Sequence, residues 1–242
     1  MLINDLAKKI ENWLQEQIKD RDARGFVVGL SGGIDSAVTA ALCRNVCPET
    51  TFGVIMPCYS NTEDAQHAEL LAKSIGIEYE TIKLDKPFAE MVKLLTGEDY
   101  NPEKKDLVVA NIKPRLRMTT LYYFAARRQS LVVGTGNRSE LTVGYFTKHG
   151  DGGVDLLPIA NLVKKQVVEL ARFLEIPAPI IDKPPSAGLW EGQSDEKEMG
   201  ITYEELDRYI LTGQAEDRVR KRVDDMAMKS LHKKQLPAMP PL

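Results

Sequence analysis

Two hydrophobic rhythms alternate along the chain. Leu2, Ile3, Leu6, Ile10, Trp13, Leu14 and Ile18 recur at helical spacing, which predicts an amphipathic helix covering a sheet face or a partner subunit. The run GFVVGL that follows is short and continuously apolar, the pattern of a central parallel strand. IDSAVTAALCRNV then predicts a helix and TFGVIMP a strand. NTEDAQHAELLAKSIG predicts a helix closed by Gly76, and IEYETIKL a third strand. The succession is βαβαβ, with connections long enough for right-handed crossovers in a parallel sheet.

Residues 102–128 predict a longer helical region, and SLVVGTGN another strand ending in a glycine-rich loop. VDLLPIA suggests one more short extended piece. NLVKKQVVELARFLEI is again helical, stopped by Pro177 and Pro179. Residues 182–200 mix prolines, glycines and charges with little periodicity, which predicts a long loop of the kind that is functional or disordered. TYEE at 202–205 is a capping box, a last helix is expected from about Ala215 to Leu231, and the tail is proline-rich. The fold class expected is α/β, a Rossmann-like three-layer sandwich with a mostly parallel sheet, and 242 residues suit one domain over 1–242.

A formal net charge of −3 offers no overall basic field for nucleic acid or an acidic membrane surface. The first twenty residues interleave acids and bases where a signal peptide would be apolar, and no apolar run approaches the roughly 20 residues of a membrane span. These features point to the cytoplasm. Cys43, Cys47 and Cys58 are odd in number and not spaced for zinc, so they are expected to be small buried hydrophobes.

Chemistry concentrates where SGGIDS joins the first strand to the first crossover helix. Gly32 and Gly33 permit a tight turn, and the amides after them point at a phosphate from a helix N-terminus. Ser31 and Ser36 add hydroxyls. Asp35 would repel a bare phosphate and makes sense with magnesium between the two. The loop lacks a Walker A lysine and dinucleotide-fingerprint spacing; the plain alternative is a glycine-rich turn before a helix. Thr135 and Glu140 follow a strand end, where open parallel sheets place ligands. Arg115 and Arg117 read as solvated charges unless a substrate with phosphates needs them. His67 reads as a surface or capping residue, and His149 as a poor catalyst. His232 with Lys233 and Lys234 reads as a charged terminal patch.

SGGIDS resembles the pyrophosphate-binding loop of the ATP pyrophosphatase group, whose members cleave ATP between the α and β phosphates and adenylate a substrate oxygen. Four longer stretches resemble the NAD synthetase family within it: NIKPRLRM (111–118), GTGNRSELTVGYFTKHGDGGVDLLPIANLVKKQV (134–167), KPPSAGLWEGQSDEKEMGITYEELD (183–207) and HKKQLP (232–237). That resemblance implies ATP-dependent amidation of nicotinic acid adenine dinucleotide (deamido-NAD) by ammonia, with magnesium. It implies ATP contacts from Gly29, Leu30, Ser31, Gly32, Gly33, Ile34, Asp35, Ser36, Thr135, Lys164 and Ser186; family members often have Thr where Ser186 stands. Asp35 and Glu140 would be the magnesium ligands. Arg115, Lys148, Asp155, His232 and Lys233 would contact deamido-NAD.

The catalytic set expected is Asp35 and Lys164 for adenylation and Asp151 as the base that frees ammonia of its proton. A reactive acyl adenylate calls for a lid, and 183–200 has the composition for it, with 84–100 a second segment that could order on binding. About 25 residues precede the first strand, too few for a glutaminase domain, so ammonia is expected from solution or a separate protein. The family implies a homodimer, and the apolar stripe of the first helix is a candidate interface. Two rivals remain open: another ATP pyrophosphatase acting on tRNA, which would want a basic surface, and a nucleotide-binding module without catalysis.

Overall fold

Phe26, Val27 and Val28 are fully buried in β1 (Phe26–Gly29), as a strand covered on both faces must be. Beside β1 lie β2 (Thr51–Ile55) and β4 (Leu131–Val133), and β3 (Glu78–Thr81) forms an edge. All pairings are parallel, in the order β3-β2-β1-β4. The computed structural model describes residues 2–186, 188–190 and 192–240, so Met1, Ala187, Glu191, Pro241 and Leu242 of the expected domain and lid lie outside the described residues.

Successive strand residues turn to opposite faces, and each face has its own core. Phe26, Val28 and Val133 face one layer with α1 (Ile3–Asp20), α2 (Ile34–Val46) and α3 (Thr62–Ile75). Val27, Val54 and Val132 face the other, with α4 (Asp85–Thr96), α5 (Leu107–Ala110) and α6 (Ile112–Arg128). The chain continues through α7 (Arg138–Val143), α8 (Lys164–Phe173), α9 (Ala178–Ile181) and α10 (Asp195–Met199) to α11 (Tyr203–Thr212) and α12 (Asp217–Ser230). Helices α8 and α9 join the first layer, whereas α10, α11 and α12 form a small separate core around Met199, Leu206, Val219 and Val223.

Three expectations change. The stripe of α1 is not a free surface: Ala7, Ile10 and Leu14 are buried, and Leu6 and Trp13 pack on the same core. Covering its own domain is the role the structure gives that face. The expected extended piece at VDLLPIA is a single bridge between Leu156 and Val133. The long segment 182–200 contains α10, too short for periodicity to reveal and charged in four of its five residues. The capping box is present as read, with Thr202 Oγ1 accepting from Glu205 N at 3.1 Å. Among the described residues no helix is long and apolar enough to cross a membrane.

Candidate active site

The SGGIDS loop leaves the carboxyl end of β1. Leu30 and Ile34 turn into the core, which leaves their backbones as the parts available to a ligand. Gly32 sits at φ 76, and a Cβ there would lie 2.2 Å from the Asp64 carbonyl oxygen, so only glycine fits. Gly33 heads α2 with no side-chain cap, so the first N–H groups of that helix are available to an anion. The Ser36 hydroxyl donates to Gly33 O at 2.9 Å and lies 3.0 Å from Ser31 Oγ, bracing the loop from inside.

Two further strand-end segments converge on Asp35. Lys164, at the start of α8, forms an ion pair with it, both side chains largely buried. Asn137 Nδ2 donates to Asp35 Oδ1 at 2.9 Å. Asn137 also caps α7: its Oδ1 accepts from Glu140 N at 3.0 Å, and Glu140 Oε2 accepts from Asn137 N at 3.1 Å. This box anchors Glu140 in the field of Asp35. Burial, then the Asp35 charge, push the Glu140 carboxyl up to about 8. Burial alone would depress the Lys164 ammonium, but Asp35 and Glu140 outweigh it and hold the group above its ordinary value. The Tyr203 ring lies 5.2 Å from Lys164 Nζ, and its hydroxyl donates to Asp195 Oδ2 at 3.1 Å.

Two repelling carboxylates beside one lysine are costly to hold and fit a hard divalent cation. No cluster of three or more His, Cys, Asp or Glu suited to a metal occurs among the described residues. Magnesium is compatible with that, because it commonly takes one or two carboxylates and completes its shell with waters and substrate phosphates.

Four of the five expected deamido-NAD contacts meet at a second place. Arg115 donates to the Lys148 carbonyl at 3.4 Å, Lys148 Nζ to the His232 carbonyl at 2.8 Å, and Lys233 Nζ to the Gly144 and Phe146 carbonyls at 2.8 and 2.7 Å. The terminal HKK stretch therefore docks against its own chain. Asp155 is apart from them, bonded to Tyr122 and to Val132 N. Asp151 Oδ1 accepts from Thr147 N at 2.9 Å; desolvation by surrounding protein moves its carboxyl above the ordinary range, although Arg117 and Lys233 act against this. Thr135 lies two residues beyond β4, and Ser186 is exposed with its hydroxyl accepting from Gly188 N at 3.2 Å.

Lys113, Lys183 and Asn137 had no reading in the sequence, and Arg117, read there as a solvated charge unless a phosphate-bearing substrate needs it, is a tie between elements. Lys113 is buried in α6 and donates to the Leu189 carbonyl at 2.8 Å, its ammonium near the rings of Phe88 and Tyr100. Lys183 pairs with Asp64. Arg117 donates to Met56 O at 3.2 Å and to Ser60 Oγ at 3.1 Å, tying α6 to the end of β2. Asn137 was detectable, because N-x-x-E at 137–140 is a capping-box signature.

A parallel sheet with a glycine-rich loop and a lysine–carboxylate group at its strand ends is an ATP pyrophosphatase type of α/β fold. The NAD synthase family model matches residues 6–237, and the chain belongs to that family. It is 53% identical over 237 residues to an NH(3)-dependent NAD(+) synthetase of Carboxydothermus hydrogenoformans, covering 98% of this chain and 97% of the relative. Among solved structures it is similar to an NMN synthetase from Francisella tularensis, with a TM-score of 0.94 and 37% identity over the whole of both chains. It is also similar to an NH3-dependent NAD synthetase from Campylobacter jejuni, with a TM-score of 0.80 and 29% identity, again over both whole chains.

Proposed function

We infer that this chain joins ammonia to the nicotinate carboxylate of deamido-NAD with cleavage of ATP to AMP and pyrophosphate, giving NAD. The observation that carries the reading is the Asp35–Lys164 pair beside Glu140 at the open N-terminus of α2. A carboxylate does not yield to ammonia unaided, because its leaving group would be oxide. Attack of a carboxylate oxygen on the α-phosphorus forms an acyl phosphate bond and breaks the bond to the β-phosphate oxygen. Ammonia then attacks the carbonyl carbon, and AMP leaves with the bonding electrons.

Each step has groups suited to it. The α2 amides and the Lys164 ammonium face the charge that grows on the departing pyrophosphate. Asp35 and Glu140 would hold magnesium, which when bound neutralises phosphate charge. Arg115, Lys148, His232 and Lys233 would position the dinucleotide. Asp151, its carboxyl raised above the ordinary range by burial, would take the proton released as the C–N bond forms.

The segment 183–200 serves as the lid in this reading. Lys113 and Lys183 hold it to α6 and α3, and Gln193 Nε2 holds it internally to Glu198 at 3.0 Å. Lys113→Met should loosen it and admit water to the acyl adenylate. The ratio of AMP formed to NAD formed is expected to rise from one to several. A ratio of one at unchanged rate would remove Lys113 from the lid.

A second reading is the same chemistry on nicotinic acid mononucleotide, favoured by the 0.94 TM-score to the Francisella NMN synthetase. Purified protein given ATP, magnesium and either acid, with ammonium or glutamine as nitrogen source, separates the possibilities. Efficient formation of NAD with ammonium and little with glutamine is expected. A higher kcat/KM for the mononucleotide would move the substrate, and ATP binding without turnover of either would leave a binding module.

The same reading includes a homodimer. Leu94, Leu95, Leu107 and Val108 are 80, 67, 57 and 80% exposed on α4 and α5, which pack on α6, an apolar exposure suited to a second copy. Sedimentation at low micromolar protein should report twice 27.1 kDa, and Leu94→Glu with Val108→Glu should return one chain mass. A wild-type monomer with full activity would contradict the dimer.

A further inference from the structure

Helix α8 carries Lys164 as its first residue, and its own capping is one-sided: Gln166 Oε1 accepts from Val163 N at 3.1 Å, but no side chain at the N-cap position serves the N–H groups of the first turn. The N-cap position is Val163, fully buried and without a hydroxyl or carboxylate, where Ser, Thr, Asp or Asn is the usual solution. The first N–H groups of a helix have no intrahelical acceptor and must find one elsewhere when they are buried. Lys164 N donates to Ser139 Oγ at 3.1 Å, and Lys165 N donates to Asp207 Oδ2 at 2.8 Å. The same Asp207 accepts from the Ser139 hydroxyl through Oδ1 at 2.5 Å. Ser139 is fully buried and Asp207 only 5% exposed.

One carboxylate on α11 thus joins the start of α7 to the start of α8. Its two partners are the immediate chain neighbours of the two groups that must face ATP: Ser139 precedes Glu140, and Lys165 follows Lys164. We propose that Asp207 is a positioning residue for the adenylation step, a cap supplied from another helix that keeps Lys164 and Glu140 in register at the phosphate loop. The inference rests on the roles given above to Lys164 and Glu140. Helix α11 is itself fixed on that side: Leu206 is fully buried in the small core, and the Thr202–Glu205 box starts the helix. A negative charge at the N-terminus of α8 also suits its dipole.

Asp207→Asn keeps the shape but replaces one accepting oxygen with a donating amide NH2, so it cannot accept from Ser139 and Lys165 through separate oxygens. A shift of Lys164 or Glu140 by a fraction of an ångström would then act on the transition state, where a misplacement of about 1 Å can cost on the order of 100-fold. Pyrophosphate release should slow about 10- to 100-fold in kcat, with KM for deamido-NAD unchanged. In protein free of nucleotide and metal, hydrogen exchange at the Lys164 and Lys165 amides should accelerate. Ser139→Ala should give a smaller loss of the same kind, and adding it to Asp207→Asn should cost little more. Asp224→Ala removes the acceptor of the Tyr209 hydroxyl elsewhere on α11 and should leave kcat as it is.

Lys164→Met, measured alongside, separates the two levels of the argument. If Lys164→Met loses activity while folded Asp207→Asn keeps the wild-type kcat, the positioning role is wrong and the site stands. If Lys164→Met keeps its rate, the reading of the site fails and takes this inference with it. Should Asp207→Asn not fold, Ser139→Ala decides: an unchanged kcat overturns the proposal, and a lowered kcat at constant KM supports it.

Discussion

Asp35→Asn is expected to retain the fold and to lose pyrophosphate release by roughly 100- to 1,000-fold, the range seen when one preorganised charged or polar group is removed from a developing anion. The expectation follows from what Asp35 touches. It is the charge partner of Lys164 and the acceptor of Asn137 Nδ2. An amide at this position preserves volume and one acceptor, so the loop between β1 and α2 keeps its packing. It is a far poorer ligand for magnesium, and it leaves the buried Lys164 ammonium with only more distant carboxylates to offset its burial. Removing one partner of a buried ion pair costs about 3–5 kcal/mol, so the melting temperature should fall by roughly 6–20 °C. Circular dichroism with single-turnover pyrophosphate release checks both halves. Wild-type release by a folded Asp35→Asn protein would remove Asp35 from the chemistry.

Glu140→Gln is expected to gain stability at alkaline pH while losing activity by a comparable factor. The Glu140 carboxyl stands near 8 in the folded chain, against 4.5 for an unperturbed group, because burial and then the Asp35 charge oppose its ionisation. The unfolded chain therefore gives up this proton first. Between about pH 4.5 and 8 the folded state binds more of it, and stability falls as pH rises through that window. Glutamine has nothing to ionise and escapes the loss, which is on the order of a few kcal/mol once the window has been crossed. Without magnesium, the variant should melt several degrees above wild type at pH 9 and close to it at pH 4.5. An equal gain at both pH values, or none at pH 9, would show that Glu140 ionises freely. The trade has a physical basis: two neighbouring carboxylates destabilise the empty chain and become useful once a cation and phosphates lie between them.

The strands and the helices that cross between them were legible because burial on both sheet faces imposes continuous apolar runs, as in Val27 and Val28. The phosphate loop was legible because a positive φ against the Asp64 carbonyl demands glycine at position 32. What escaped depends on distant partners. Lys113 sits among charged residues in IKPRLR and looks solvated; its burial is made by Phe88, Tyr100 and Leu189 from other segments. Asp207 had no reading in the sequence, because its role depends on a helix start 42 residues away in the chain, where Val163 offers no capping side chain. The α1 stripe was visible, but periodicity says that a face is apolar without saying what covers it. The site residues were named through the family resemblance, and the structure brings Asp35, Glu140 and Lys164 to one place and Arg115, Lys148, His232 and Lys233 to another, with Asp155 beside neither.

The central claim is that the nicotinate carboxylate attacks the α-phosphorus of ATP. Deamido-NAD carrying ¹⁸O in that carboxylate tests it directly. Turned over with ATP, magnesium and ammonium, it should deliver one ¹⁸O atom into the phosphate of AMP for each NAD formed, with the pyrophosphate unlabelled. Unlabelled AMP, or label in pyrophosphate or inorganic phosphate, would contradict the account.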